Sequence, residues 1–463
     1  MKISVITPTH DLRWLQQAWD SLRAQSHADF EWRVFLNNID PDGPPAPSDR
    51  NLGLADVDDR VIVHRSMLRT GGSVGAVKGV AFGLAGGDVV LELDHDDMLH
   101  PHALARVAEA FVDPGVDFVY SDCADFSDPP GLRVTYHDPA VKASWLTCNW
   151  SFADCDVPEN LRAHVGAERL VYPITFEPSA LSVSLISYAP NHLRAWRRSF
   201  YERIGGHDAS LKVCDDLDLL QRTYLAGRMR KIPEVLYFYR VAPGANTWAK
   251  QIPNIQAASA EMQARRLQAL VEREMSLRGL PCLDLGGAHG TPGAPWIPVD
   301  AALPWPAWIA CTRAPPETLE LADKAWRDAG IPLGQLGVHG TPWPFPDSSI
   351  GAFRAVDFLE HLPNKLHTMS ELHRCLAPGG WLLSSTPDGC GPGAHQDPTH
   401  CSYWVEDSFR YYTEQRLARY IDNTTERFMA ARLLTERGKV PYVHAALVSL
   451  KDDDGRLPGQ RMI

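Results

Sequence analysis

Three carboxylates stand within the four residues Asp94-His95-Asp96-Asp97, directly after the apolar run of residues 88–93. Clustered carboxylates repel one another and are costly to remove from water, so the cluster favours a bound cation. Hard oxygen ligands suit Mg²⁺ or Mn²⁺, ions that complete their coordination with substrate phosphates. Open α/β sheets bind ligands at the carboxyl ends of their strands, so we interpret the cluster as a metal and phosphate site. A solvated acidic turn before the next helix is the alternative.

A second acidic cluster, Asp215-Asp216-Leu217-Asp218, stands at the start of a helix predicted over residues 217–225. By itself the pattern is typical of an acidic helix N-terminus, where the helix dipole favours negative charge. Its place downstream of the first carboxylate cluster makes it a second candidate for chemistry.

Residues 1 to about 245 alternate short apolar strands with helical stretches, and these elements must position both clusters. The alternation is typical of an α/β domain with a largely parallel sheet. Apolar residues at helical spacing predict a helix over residues 12–24. Strands are predicted over residues 3–7, 32–36, 61–64, 88–93 and 118–120.

The chain has 463 residues, which is ample for two domains. A run with helical spacing ends at Gly279 and reads as a linking helix. We therefore expect a first domain over residues 1–250, a helical linker over 251–279 and a second α/β domain over 280–463. In the second domain we expect strands at 282–285, 349–358 and 381–385, and a helix at 365–376.

Charge and composition exclude several classes of protein. The 45 basic and 57 acidic residues leave a net charge of −12, which argues against nucleic acid as the main partner. No apolar run approaches the ~18–20 residues that span a bilayer. The nine cysteines are scattered without any C-x-x-C pair, which favours reduced thiols and no structural zinc. We expect a cytoplasmic protein without a membrane span.

The first 245 or so residues resemble glycosyltransferase family 2, whose members are inverting enzymes of the GT-A fold. Asp94-His95-Asp96 is similar to the family's D-x-D signature, and 214–219 to its acceptor-side motif, which ends in E-D-x-D-L. Four further segments are similar to parts of the family. Residues 3–9 resemble its opening strand and nucleotide-contacting turn, and residues 72–79 resemble a Gly-containing stretch before the donor-site helix. Residues 117–122 resemble the strand after the metal motif, and residues 204–208 resemble the start of the acceptor-side motif.

This resemblance implies roles for individual residues. Asp94 and Asp96 would form the D-x-D pair, and Asp96, with Asp97, would hold the metal that bridges the donor diphosphate. Asp216 would be the general base that takes the acceptor's proton, a task that suits a carboxylate within ~3 Å of a hydroxyl group. The metal would neutralise the departing diphosphate. The donor-binding set comprises Thr7, Pro8, Asn37, Asn38, Lys78, Asp94 and Asp96.

Two departures from the family concern the donor. Asn37 and Asn38 stand where an aspartate-rich V-D-D-G-S is usual, although an amide can still pair with a uracil edge. Lys78 stands where Asn is common, so it serves the diphosphate or is solvated. Residues 237–240 resemble a late strand that leads into a loop over the donor, with an ordinary edge strand as the alternative.

Residues 281 to about 390 resemble class I S-adenosylmethionine-dependent methyltransferases. The similar segments are a strand and glycine-rich turn at 283–290, followed by 344–350, 358–362 and 376–381. In that family the turn holds the methionine portion of the cofactor and an acidic residue binds its ribose. The matching positions for S-adenosylmethionine are Asp284, Gly286 and Asp300.

The second domain lacks room for one expected helix. A crossover between parallel strands needs a dozen or more residues, normally helical. Only residues 287–298 separate the first two strands, and they contain Pro292, Pro295 and Pro298. The first helix is therefore expected to be missing, which leaves two interpretations open: a working methyltransferase, or a degenerate domain for architecture or acceptor binding.

Two further patterns in the second half are ambiguous. The loop of residues 395–401 carries His, Asp and Cys, which can ligate metals, but it lacks a fourth partner at usual spacing, so we expect it to line a pocket. Four tryptophans could stack on sugars, although we expect packing roles: Trp296, Trp305, Trp308 and Trp343.

We therefore expect an α/β protein in which a GT-A glycosyltransferase domain precedes a Rossmann-like methyltransferase-like domain. It would transfer a sugar from a nucleotide-diphosphate donor, foremost a UDP-sugar, with Mn²⁺ or Mg²⁺ and with inversion. The acceptor would be a glycan, a protein or a small molecule, and methylation with S-adenosylmethionine would be a second activity. One alternative is a methyltransferase with a non-catalytic sugar-binding domain; the other is a non-catalytic scaffold that binds glycans or nucleotides.

Overall fold

The computed structural model describes residues 1–37, 54, 58–65, 73–128, 151–185, 190–242, 247–286, 292–299, 342–343, 345–421 and 427–451. The chain forms two compact units, the first ending at Leu267 and the second beginning at Gln268. This division falls inside one long helix, Thr247–Arg278, which covers most of the segment expected to link the domains. The boundaries at 250 and 280 stay predictions.

A mixed sheet of eight strands organises the described part of the first unit, in the order β3-β2-β1-β4-β9-β6-β10-β5. Its strands are β1 (Ile3–Thr9), β2 (Phe30–Leu36), β3 (Val61–Arg65), β4 (Val89–Glu92), β5 (Met98–Leu99), β6 (Phe118–Ser127), β9 (Arg194–Arg197) and β10 (Met229–Val241), while β7 (Phe152–Asp156) and β8 (Arg169–Pro173) form a separate antiparallel pair.

The order in which strands are added to this sheet reverses between β1 and β4. Strands β2 and β3 follow β1 on one side and are parallel to it, whereas β4 pairs parallel to β1 on the other side. Strand β9 is antiparallel to both β4 and β6, so the sheet is mixed beyond that point. Such a reversal opens a crevice at the carboxyl ends of β1 and β4, where open α/β sheets bind ligands.

The described helices up to residue 278 are α1 (Leu15–Arg23), α2 (Val74–Gly83), α3 (Ala103–Ala110), α4 (Glu159–Val165), α5 (Ala180–Leu185), α6 (Arg198–Arg203), α7 (Asp215–Ala226) and α8 (Thr247–Arg278), the last of which continues into the second unit. Helix α1 buries Leu15, Ala18, Trp19 and Leu22, as its spacing predicts, and Trp19 stacks on Trp32 with ring centres 5.6 Å apart. The helix begins later than predicted, after a turn in which Leu15 N–H donates to the Leu12 carbonyl oxygen over 3.3 Å.

Strand β10 carries the segment 237–240 and is not an edge strand. It pairs parallel with β6 on one side and antiparallel with the short β5 on the other. Tyr237 and Phe238 are fully buried there. The edge-strand alternative is therefore wrong, because a segment distant in sequence supplies the second neighbour.

The second unit is built on a six-stranded sheet in the order β12-β11-β13-β14-β16-β15. Its strands are β11 (Cys282–Leu285), β12 (Trp296–Val299), β13 (Ile350–Val356), β14 (Leu376–Pro387), β15 (Arg427–Glu436) and β16 (Tyr442–Leu450), and its helices are α9 (Lys365–Cys375), α10 (Gly393–Gln396), α11 (Glu406–Thr413) and α12 (Gln415–Ala418). Strands β12, β11, β13 and β14 are parallel. Strand β16 pairs antiparallel with β14, and β15 pairs antiparallel with β16. The α/β prediction is confirmed in both units.

Large side chains fill the core of the second unit. Trp296 and Trp343 are 4% and 2% exposed, so both pack internally, as predicted. Trp305 and Trp308 lie outside the described residues. Across the ranges that the structure describes, no helix combines the length and the apolar character that a membrane crossing requires.

Candidate functional site

The carboxyl ends of β1 and β4 meet at the direction reversal in the first unit. Ile6 lies opposite Glu92, and the Leu93 N–H donates to the Ile6 carbonyl oxygen over 3.1 Å. The Thr7 hydroxyl donates to the Leu93 carbonyl oxygen at 2.8 Å and accepts from the Trp32 indole at 2.9 Å. The buried Thr7 side chain thus links β1 to the start of the carboxylate turn. This is a different role from the donor contact expected of Thr7.

Asp97 ends that turn and is completely buried. Its Oδ2 accepts from the Tyr237 hydroxyl at 2.8 Å, and its Oδ1 accepts from the Arg240 backbone N–H at 2.7 Å. Each oxygen thus accepts one hydrogen bond from strand β10, so Asp97 anchors the turn to that strand. Its expected role as a metal ligand stays a prediction, because each carboxylate oxygen keeps a further lone pair.

Arg240 clamps the same turn from β10. Its Nε donates to the Asp96 carbonyl oxygen over 2.6 Å, and its Nη1 donates to Asp128 Oδ2 over 2.7 Å. The guanidinium also lies 5.3 Å from the Trp14 ring centre and 4.6 Å from that of Phe126. The backbone of the turn is therefore held by β10, while the side chains of Asp94 and Asp96 are half-buried.

Asp94 and Asp96 fit a cation. Burial, with the nearby Glu92 and Asp96 charges, raises the pKa of Asp94 to about 6, although Lys78 opposes this shift. The Asp96 side chain is 15% exposed, and its Oδ1 lies 3.9 Å from His95 Nδ1. Crowded carboxylates in a half-buried position are stabilised by a divalent ion that neutralises their repulsion.

Lys78 lies in α2 and is not solvated, so that alternative is wrong. Its ammonium forms an ion pair with Glu92 and lies 3.9 Å from Asp215 Oδ2. Burial alone would lower the pKa of Lys78, yet Glu92 and Asp215 raise it well above its ordinary value. Lys78 is therefore a buried positive charge that joins the end of β4 to the start of α7.

Asp216 occupies the first turn of α7 with 32% of its side chain exposed. Its Oδ1 accepts from the Leu217 N–H at 2.8 Å, and its Oδ2 accepts from Arg194 Nη1 at 3.2 Å. Arg194 is 1% exposed, and its Nη1 also lies 3.8 Å from Glu92 Oε2. A buried arginine thus connects the second acidic cluster to the end of β4, two residues before the first cluster begins.

Asp215 is buried behind Asp216. Its Oδ2 lies 3.7 Å from His207 Nε2 and has no hydrogen-bond partner among the residues that the structure describes. Burial raises the pKa of Asp215 to about 6, and burial lowers that of His207 to about 3. The neighbouring carboxylates therefore have unlike environments, and only Asp216 is open to a ligand.

Sequence reasoning missed Glu92, Arg194 and His192. His192 Nε2 lies 3.8 Å from Glu92 Oε2, and its ring stacks on Tyr237 with centres 4.8 Å apart. A charged residue at the end of the apolar run 89–93 was a local sign for Glu92. Nothing local marks Arg194 or His192, because their partners come from other strands.

The remaining predicted donor residues lie at the same edge or outside the description. Pro8 is half-buried near the end of β1, opposite Phe35. The Asn37 N–H donates to the Thr9 carbonyl oxygen over 2.8 Å, so Asn37 directly follows β2 beside β1. Asn38 lies outside the described residues.

In the second unit, Asp284 and Gly286 lie at the end of β11. Asp284 is 1% exposed; its Oδ1 accepts from Arg354 Nη1 at 2.8 Å, and its Oδ2 has no hydrogen-bond partner within the described ranges. Gly286 has a φ of +75°, and a Cβ there would lie 3.0 Å from the Phe358 side chain. A tight turn with space only for glycine fits a closely approaching cofactor. Asp300 lies outside the described residues.

The crossover between β11 and β12 is short, as expected. Strand β12 is parallel to β11, with Cys282 opposite Trp296. Residues 292–295, the described part of the crossover before β12, contain no helix. The turn therefore fits S-adenosylmethionine at Asp284 and Gly286, and the described part of the crossover agrees with the prediction that the first helix is missing.

Family models match both units. Residues 4–172 match the glycosyl transferase family 2 model, and residues 259–424 match a methyltransferase domain model. Both predicted resemblances are confirmed, and the match over residues 4–172 agrees with the expected class of enzyme, a glycosyltransferase.

One curated relative is the O-antigen biosynthesis protein RfbC of Myxococcus xanthus. It is 32% identical over 148 residues, which are 31% of this chain and 11% of that protein. The matched part of the chain thus spans about a tenth of the length of this relative.

Solved structures with distant similarity include TarS and a mannosyltransferase. TarS 1-349 of S. aureus in complex with UDP is 18% identical, with coverage of 60% of this chain and 72% of that one and a TM-score of 0.36. Mannosyltransferase PcManGT from Pyrobaculum calidifontis, in complex with GDP-Man and Mn²⁺, is 17% identical, with coverage of 57% and 64% and a TM-score of 0.37.

Proposed function

We propose that this chain, which joins a glycosyl transferase family 2 domain to a methyltransferase-type domain, transfers a sugar from a nucleotide-diphosphate donor to an acceptor hydroxyl group. The observation that carries the proposal is the meeting of two carboxylate clusters at one edge of the first sheet. Asp94 and Asp96 follow β4, Asp216 begins α7, and the buried Arg194 lies within 3.8 Å of Glu92 and 3.2 Å of Asp216. A UDP-sugar is the donor class that the resemblance favours.

The donor side of this site is assigned to Asp94 and Asp96. Their carboxylates would hold Mn²⁺ or Mg²⁺, and the ion supplies charge neutralisation for a departing diphosphate. Asp97 and Arg240 keep the turn in place, and Thr7 ties it to β1. These contacts hold the two carboxylates in position before the donor arrives, which lowers the cost of assembling the site.

The acceptor side is assigned to Asp216. Its contact with Arg194 holds the side chain in place, and its partial exposure leaves it accessible. As general base it would receive the acceptor hydroxyl proton on a carboxylate oxygen while that hydroxyl attacks the sugar. Inversion at the anomeric carbon is proposed from the family resemblance.

Binding of nucleotide and metal tests this proposal. In a thermal-shift titration with UDP and Mn²⁺, stabilisation of about 2.7 kcal/mol is expected at one hundred times the Kd. Asp96→Asn should lose the shift that depends on metal, because it removes a charged ligand and leaves the turn backbone bonded to Arg240. GDP and dTDP serve as alternative probes of the base.

The matched control for Asp96→Asn is Asp88→Asn. Asp88 is an exposed carboxylate just before the opposite end of the same strand, where its Oδ2 accepts from the Lys2 N–H at 2.9 Å. This variant should keep the full UDP–Mn²⁺ shift. An unchanged shift in Asp96→Asn, or no shift with any nucleotide in the wild-type chain, would overturn the donor site.

For the second unit we propose binding of S-adenosylmethionine at the end of β11, and with it a methylating activity. The specific support is the left-handed turn at Gly286 together with the buried Asp284 Oδ2, which has no hydrogen-bond partner in the described residues. A buried acceptor of this kind suits a ligand amine or hydroxyl donor. The bound cofactor would supply an activated methyl group.

Titration calorimetry with S-adenosylhomocysteine tests the second unit. Gly286→Ala should abolish binding, because the new Cβ strains the turn and meets Phe358 at 3.0 Å. The control is Gly279→Ala, which also has a positive φ, +67°, but has no atom within 4 Å of the added Cβ. Failure of the wild-type chain to bind would leave the unit with the architectural or acceptor-binding role that its short crossover suggests.

A further inference from the structure

A cluster of two histidines and a glutamate lies in the second unit. Glu360 and His361 belong to the 3-10 turn Leu359–His361 that follows β13, and His400 lies in the loop after α10. The N–H groups of Cys401 and Ser402 donate to the Glu360 carbonyl oxygen over 2.9 and 3.0 Å. These two bonds fasten the loop onto the turn and bring His400 to Glu360.

Glu360 has one carboxylate oxygen that the protein leaves unused. The residue is 1% exposed, and its Oε2 accepts from the Thr386 hydroxyl at 2.8 Å. Its Oε1 is buried and has no hydrogen-bond partner among the described residues. A buried carboxylate oxygen without a partner is costly, so its presence indicates a missing cation or donor.

His400 is oriented as a ligand toward that oxygen. Its Nδ1 lies 3.1 Å from the Ala394 carbonyl oxygen, so Nδ1 carries the proton and Nε2 presents its lone pair. Nε2 is 4.0 Å from Glu360 Oε1, too far for a hydrogen bond but close enough for two ligands of one ion. The spacing of residues 395–401 offered too few metal ligands within the loop. The turn that contains Glu360, distant in sequence, supplies the missing ligands.

His361 completes the group. Its Nδ1 lies 3.1 Å from the Thr399 hydroxyl oxygen, and its ring centre is 4.9 Å from that of His400. The ligand atoms of Glu360, His361 and His400 all lie within 4.8 Å of one another. Asp397 Oδ2 is 4.0 Å from His400 Nε2 on a more exposed side, with 45% of its side chain accessible.

We propose that Glu360, His361 and His400 bind a divalent transition-metal cation. Two imidazoles and one carboxylate suit Zn²⁺, Fe²⁺ or Co²⁺ better than Mg²⁺ or Ca²⁺, which prefer all-oxygen sites. Three protein ligands leave coordination positions open for an oxygen ligand such as a hydroxyl group or water. The cluster follows β13 at the edge where β11 ends, and Phe358 beside it is the neighbour of Gly286, so such a ligand would lie at the ligand-binding edge of this sheet.

Titration of the full chain with Co²⁺ tests this site, because imidazole-bound Co²⁺ has a characteristic visible absorption. The titration uses the Asp96→Asn chain, which removes the carboxylate proposed to bind metal in the first unit. One Co²⁺ per chain is expected, with absorption typical of nitrogen ligands. Its presence does not depend on the transferase proposal, so failure of either proposal is recognised separately.

Ligand variants in the same background give the decisive comparison. Glu360→Gln and His400→Gln should each weaken Co²⁺ binding by at least about 10-fold, as loss of a ligand does more than loss of an outer partner. The control is His395→Gln in the same segment, whose Nε2 lies 3.1 Å from the Gly389 carbonyl oxygen. It should leave Co²⁺ affinity unchanged.

The two ligand variants also distinguish loss of a metal ligand from a folding defect. Glu360→Gln is isosteric and keeps an oxygen for the Thr386 hydroxyl, so a matching melting temperature without metal would exclude a folding defect. Absence of Co²⁺ binding in the Asp96→Asn chain, or equal affinity in Glu360→Gln and His400→Gln, would overturn the proposal.

Discussion

Asp216→Asn is expected to slow donor turnover by about 10²–10⁴-fold, the usual contribution of a general base. Asparagine cannot take the acceptor proton, yet its side-chain oxygen can still accept from the Leu217 N–H, which lies 2.8 Å from Asp216 Oδ1. Arg194 keeps Glu92 as a neighbour at 3.8 Å, so the fold should survive. The measurement is UDP release from a panel of UDP-sugars with Mn²⁺, with water as the acceptor.

Binding must be measured beside turnover in that experiment. Asp216→Asn should keep the UDP–Mn²⁺ thermal shift, because the donor side of the site is intact. Asp113→Asn makes the same substitution in an exposed ion pair with Arg228 and should release UDP at the wild-type rate. Wild-type turnover in Asp216→Asn would remove Asp216 from the role of base, whereas no UDP release by the wild-type chain itself would favour a non-catalytic scaffold or a purely methylating enzyme.

Glu92→Gln is expected to destabilise the chain by about 3–5 kcal/mol, the usual cost of removing one partner from a buried ion pair. Glu92 is fully buried, and its oxygens contact Lys78 and lie 3.8 Å from both His192 and Arg194. Burial opposes ionisation of this carboxyl, yet Lys78, His192 and Arg194 hold its pKa well below the ordinary value. The variant would leave two buried cations with one fewer countercharge.

Urea denaturation of the full chain measures this effect, and a second variant identifies its cause. Lys78→Met in the Glu92→Gln background should recover part of the lost stability, since it removes a cation that has lost its main partner. Glu109→Gln removes a carboxylate from an exposed pair with Arg106, whose atoms are 3.0 Å apart, and should cost less than about 1 kcal/mol. A similar loss in Glu109→Gln and Glu92→Gln would show that burial of the Glu92 charge does not matter.

The Asp216→Asn and Glu92→Gln experiments distinguish a residue that acts in catalysis from a residue that stabilises the same site. Asp216 is 32% exposed, whereas Glu92 is 1% exposed, although both lie near the same Arg194 Nη1. We therefore propose contact with an acceptor for Asp216 and, for Glu92, the role of holding the charges that position it. Loss of turnover without loss of stability is therefore expected only at Asp216.

Local pattern in the sequence was sufficient for much of this fold. Alternation of short apolar strands with helical segments predicted two α/β domains, since strand and helix periodicities are properties of neighbouring residues. Asp94 and Asp96 could be placed at a strand end because the apolar run before them stops there. The buried face of α1 followed in the same way from its spacing.

Contacts between residues distant in sequence could not be predicted from local pattern. Thr7 and Asp97 accept hydrogen bonds from Trp32 and Tyr237, and nothing in the neighbouring sequence predicts these contacts. The same limit hid Arg194 and the meeting of His400 with Glu360. Each of these contacts depends on which strands become neighbours or on which loop folds over a turn.

The sequence by itself thus determined the kinds of chemical group at the strand ends, because residue type and local periodicity are written in consecutive positions. Only the tertiary structure decided which carboxylates stay open to a ligand and which are bonded within the core. The physical reason is that accessibility and pKa depend on the whole surroundings of a side chain, and strands β9 and β10 supply those surroundings from far along the chain.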